Sequence, residues 1–125
     1  MKLVLALIAA LAFAAPAPAQ HSHGAHKGPN GGPVEDVAGV HAELVVSGAT
    51  ITINVMDEDN KPLPTKGYTA TVLVVAGGKR ETVTLAPSSE SALKGDAKAA
   101  VAKGAAITVT LKTSAAKSGQ AKYKL

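Results

Sequence analysis

Residues 69–85 read TATVLVVAGGKRETVTL, and this stretch decides the fold class. Thr69 to Ala76 is rich in β-branched residues, which suit a pleated strand better than a helix. Val72, Leu73, Val74 and Val75 are consecutive apolar positions and predict burial on both faces. Gly77-Gly78 follows, and two glycines reach positive φ without the strain a β-carbon would bring, as a two-residue hairpin turn requires. Lys79 to Leu85 returns with strict alternation: Val83 and Leu85 inward, Arg80, Thr82 and Thr84 outward. This is an antiparallel hairpin.

The same period of two extends in both directions. Val40, Ala42, Leu44 and Val46 fall on one strand face, with His41, Glu43 and Val45 on the other. Ser47-Gly48-Ala49 is a turn, and Ile51, Ile53 and Val55 then alternate with Thr50, Thr52 and Asn54. The polar run Asp57 to Pro62 ends that pair. Pro87 to Ser91 reads as loop, and Ser91 to Lys94 as a short strand around Leu93. Ala97 to Lys103 is alanine-rich and suits one helical turn, although Gly95 and Gly104 flank it. Ile107, Val109 and Leu111 alternate again, and Ala121, Tyr123 and Leu125 close the chain. Six to seven short strands without a proper helix predict an all-β protein, a small antiparallel immunoglobulin-like β-sandwich. The alternative is a small open β-barrel. The Cys–Trp–Cys pin of antibody domains is missing, because the chain holds neither residue.

The first 19 residues stand apart. Lys2 precedes an apolar run from Leu3 to Ala15, and Ala17-Pro18-Ala19 offers small residues for signal peptidase. The run is short of the roughly 20 residues a membrane helix needs. The expectation is a signal peptide over 1–19 and export to the periplasm. With the leader goes Phe13, leaving Tyr68 and Tyr123 as the only aromatics and Met56 as the only methionine. An aromatic stacking platform for nucleic acid, a thiolate metal site and a methionine-rich copper(I) site are all excluded by composition.

Residues 20–33 read QHSHGAHKGPNGGP and predict a flexible His/Gly-rich tail ahead of a β-domain at 34–125. His21, His23 and His26 cluster there, and neutral imidazole is a ligand for Cu(II), Ni(II) and Zn(II). Cleavage after Gln20 would put His23 third and complete a square-planar amine–amide–imidazole site; cleavage after Ala19 would not. His41 and Glu43, two apart on one strand face, add a nitrogen and an oxygen ligand. The candidate metal ligands are therefore His21, His23, His26, His41 and Glu43. Asp57 to Asn60 resembles part of a calcium loop, but Pro62 and Tyr68 stand where that loop needs glycine and glutamate. The lysines of the C-terminal third, from Lys94 to Lys124, give a positive surface that suits solubility or weak attraction to polyanions. No nucleophile elbow, zinc-protease helix, P-loop or dinucleotide motif is present, so the chain reads as no enzyme.

GPNGGPVEDVAG at 28–39, followed by HAELVV at 41–46, resembles the opening module of periplasmic heavy-metal efflux adaptors. It also resembles small exported proteobacterial proteins that look like free-standing copies of that module. The turn at Asp59 to Pro62, the hairpin at Gly77-Gly78-Lys79 and the ending from Ala121 to Leu125 belong to the same pattern. Asn30 stands where the adaptors often carry histidine. The resemblance implies a periplasmic metal-homeostasis role with an efflux component as partner. The expected function is binding or buffering of a divalent transition metal by a monomer. The competing expectation is a non-enzymatic interaction module that docks an envelope protein.

Overall fold

The computed structural model describes residues 26–125. The proposed leader, His21 and His23 lie outside the described residues. Nine strands follow in chain order: β1 His26–Lys27, β2 Pro33–Val37, β3 Val40–Ser47, β4 Thr50–Met56, β5 Thr69–Ala76, β6 Lys79–Ser89, β7 Ala92–Asp96, β8 Ala106–Lys112 and β9 Ser118–Lys124. Every pairing is antiparallel, and no helix occurs among the described residues. The protein is all-β, with more strands than the alternation alone reveals. No helix of the described residues is long and apolar enough to cross a membrane.

The spatial order is β1-β2-β3-β4-β7-β6-β5-β8-β9, one sheet rather than two. That is the open-barrel alternative, and β6 explains it. Its first part, Lys79 to Leu85, pairs with β5; Ala86, Pro87 and Ser89 pair with β7. The register shifts between Pro87 and Ser89, where proline has no N–H to give. One long strand thus carries the ladder round the corner from one half of the sheet to the other. The loop expected at Pro87 to Ser91 is largely strand.

Curling brings the two ends of the sheet together. A β-carbon at Gly119 on β9 would lie 2.7 Å from the Ala38 nitrogen just beyond β2, so glycine permits that approach. The Tyr123 hydroxyl on β9 donates to the Ala42 carbonyl on β3 at 2.8 Å. The enclosed face is aliphatic: Ala42, Leu44, Ile51, Ile53 and Val55 on one side, Val72, Val83, Leu85, Ile107, Val109 and Leu111 on the other. The expected burial of β5 on both faces is corrected. Val72 and Val74 are buried, whereas Leu73 and Val75 lie half-exposed on the outer face. The alanine-rich stretch 97–103 makes no helical turn. It runs as a strap tied to the β3–β4 turn, with Ala97 N donating to Ala49 O and Val101 N to Gly48 O.

Tyr123 supplies a test of this closure. Burial pushes its phenol well above the ordinary value of 10.0, and the carboxylates of Glu35 and Asp36 add to the effect. The neutral phenol is favoured in the folded state. Its contribution to stability is therefore complete below about pH 10 and is lost as the pH climbs from there. Tyr123→Phe is expected to cost about 1–2 kcal/mol at neutral pH, because the Ala42 carbonyl loses its donor. Urea melts at about pH 8 and 11 should show the wild type losing more stability than the variant over that interval. Equal losses would place the hydroxyl outside the closed seam.

Candidate metal site

The segment 26–33 is part of the fold, which corrects the expectation of a tail running to Pro33. β1 pairs with β2, His26 opposite Val34 and Lys27 opposite Pro33. Between them Gly31 N donates to Gly28 O at 3.0 Å, and Gly28 N to Gly32 O at 2.7 Å. Pro29 presets φ for the second turn position, and Gly31 adopts φ +82°.

Glu43 holds this turn down. It lies on the outer face of β3 and is fully buried by the turn that covers it. One carboxylate oxygen accepts from Asn30 N and Gly32 N, both at 2.9 Å; the other accepts from Asn30 Nδ2 at 2.9 Å. Three N–H donors compensate the desolvated charge. A β-carbon at Gly28 would collide with the Glu43 carboxyl, and one at Gly32 with the Leu44 carbonyl oxygen. The glycines are what let the turn sit this close. Glu43 therefore does not stand beside His41 as a free ligand, although the two share a face. Its oxygens are occupied by the turn.

His41 has a different partner. Asp36 lies opposite it across the β2–β3 ladder, and His41 Nε2 sits 2.9 Å from Asp36 Oδ1. That contact engages Nε2 and leaves Nδ1 as the ring nitrogen not held by the carboxylate. Nδ1 is buried and has no hydrogen-bond partner among the described residues. Imidazole that donates one ring nitrogen to a carboxylate and keeps the other free is the arrangement metal-binding histidines adopt.

His26 shares a cleft with this pair. The cleft, of about 410 Å³, is lined by His26, Lys27, Val34, Glu35, Asp36, His41, Glu58 and Asn60. The hairpin is thus what brings a histidine of the glycine-rich segment to the strand histidine. Among the described residues no three His, Asp or Glu side chains are close enough to hold a metal ion by themselves. The calcium-like run is a hydrogen-bonded turn: Asp57 Oδ1 accepts from Asp59 N and Lys61 N, both at 2.9 Å. Asp36 and the β1 strand escaped the sequence reading. Asp36 had a signal, since the two-residue Ala38-Gly39 turn sets it cross-strand from His41. A two-residue strand carries no periodicity to read.

No family model, curated protein or solved structure matches this chain.

Proposed function

We propose that the protein is exported to the periplasm and there binds or buffers a divalent transition metal, as an accessory to metal efflux. The observation that supports this reading is the unpartnered, carboxylate-oriented His41 in the same cleft as His26. His21 and His23 precede His26 by five and three residues, near enough in the chain to add further imidazoles. Nitrogen ligands of this kind favour Cu(II) over Ni(II) and Zn(II). The proposed role is binding and storage of the ion.

Calorimetric titration of the chain from Gln20 tests this. Cu(II) is expected to bind in the micromolar range or tighter at about pH 7.5. Ligation requires neutral imidazole, whose ordinary value is about 6.5, so binding should be lost near pH 5. Replacing His21, His23 and His26 with alanine should weaken it more than ten-fold, about 1.4 kcal/mol. His41→Ala should also weaken it if strand and tail share one ion. No heat and no imidazole shift with any of the three metals would defeat the proposal.

A second reading rests on another cleft. Pro62, Leu63, Pro64 and Pro87 line an apolar hollow of about 540 Å³ beside the β6 corner. It suits the docking of an envelope protein. Removing residues 20–25 should cut metal uptake under the first reading and leave such docking intact. The truncation must stop there, because residues 28–32 are locked to Glu43.

A further inference from the structure

The outer face of β5, β6, β8 and β9 is independent of the histidine cleft. Ladder registers set its side chains in rows. Thr84, Thr71 and Thr110 lie side by side across three strands, and Thr82 and Thr108 flank Leu73 in the next row. Strand geometry spaces these about 4.8 Å across and roughly 6.8 Å along. The pleat sends the alternate residues Val72, Val83 and Val109 into the core, so the outer face is paved with hydroxyls, which line a shallow hollow with Leu73 and Arg80.

Its charges have one sign. Arg80, Lys112, Lys122 and Lys124 occupy outward positions of these strands, and all are exposed. No Asp or Glu shares the face. Glu81 on β6 has the opposite parity, and its carboxylate accepts from Lys98 N at 2.7 Å. The basic side chain paired with a carboxylate among the described residues is His41, with Asp36, so these four cations have no carboxylate partner there. The remaining acids, buried Glu43 aside, lie on β2 (Glu35, Asp36), in the turn after β4 (Asp57, Glu58, Asp59), in the β6–β7 turn (Glu90) and at the end of β7 (Asp96).

We propose that this face lies against an anionic membrane and takes the phosphates of acidic phospholipid headgroups. Charge complementarity favours a polyanion, and cations spread over β6, β8 and β9 rather than along one line favour a surface of many headgroups. Threonine hydroxyls donate to phosphate oxygens between the cations. A nucleic-acid chain fits less well, because the face has no aromatic ring for bases to stack on. Leu73 is the one large apolar residue at its centre and is only half-exposed, which suits adsorption rather than insertion.

Co-sedimentation of the chain from Gln20 with vesicles tests the assignment. Vesicles carrying about 30% phosphatidylglycerol in phosphatidylcholine should pull the protein down at about 0.05 M salt and release it at about 0.5 M. Pure phosphatidylcholine should not bind it. Each Lys or Arg near such a surface contributes roughly five-fold, so Lys112→Gln with Lys122→Gln should weaken binding about 25-fold. Lys61→Gln with Lys66→Gln removes the same charge from exposed loop positions and should change it less than about five-fold. No sedimentation, or equal losses in the two variants, would overturn the proposal. Tighter binding to single-stranded RNA or heparin than to vesicles would overturn it too, in favour of a chain polyanion.

Discussion

Glu43→Ala is expected to lower stability by roughly 3–5 kcal/mol, among the largest effects of any single substitution here. The carboxylate is fully buried and accepts from Asn30 N, Asn30 Nδ2 and Gly32 N. Truncation strands those donors under the turn, each costing about 1–3 kcal/mol, less whatever water recovers. Glu43→Gln keeps the shape and one acceptor oxygen, and an Asn30 amide flip can meet its NH2. It should cost about 1–2 kcal/mol. Urea titration reads both values. Amide exchange at Asn30 and Gly32 locates the loss, and protection unchanged there in Glu43→Ala would contradict the anchor. The same carboxylate holds β1 against β2 and so holds His26 at the cleft with His41. Glu43 serves the proposed site by positioning a ligand, not by being one.

That reversal shows what a sequence can express about this protein. The strands β3, β4, β8 and β9 were legible because one face of each is buried, which forces alternation in the sequence, and β5 through its β-branched run, which hid that only one of its faces is buried. β2 was illegible because Pro33, Glu35 and Asp36 interrupt its apolar face, leaving Val34 and Val37 on opposite sides. The change of partner within β6 was hidden for another reason. Pro87 and the serines after it carry loop composition, yet they form the bulged end of a strand. Sheet order was not written locally at all, since β4 finds β7 across the whole β5–β6 hairpin. The histidines of the candidate site were readable as residue types. Which carboxylate faces His41 depends on the β2–β3 register, and the spacing of His41 and Glu43 along one strand pointed to the wrong one.

Ile53→Ala is the second large effect, at about 3–4 kcal/mol. Ile53 is fully buried on the inner face of β4, between Leu44 on β3 and Leu93 on β7 in the same cross-strand row. Removing its branch leaves a void flanked on both sides by side chains whose backbones are fixed in ladders. Those neighbours cannot slide to fill it, so the cavity term adds to the lost transfer energy. No Phe or Trp lies in the described core to swing into the space. Val74 makes the contrast. It is 8% exposed and pairs with Glu81 towards the end of β5, beside Ala97 of the strap. Water and the strap can close over a smaller defect there, so Val74→Ala should cost about 1–2 kcal/mol. For a domain of this size, each kcal/mol shifts Tm by about 4–8 °C. Thermal melts should therefore separate the two variants by roughly 10 °C, with Ile53→Ala the lower. Equal shifts would mean that the curled sheet is packed as tightly at its open end as at its centre.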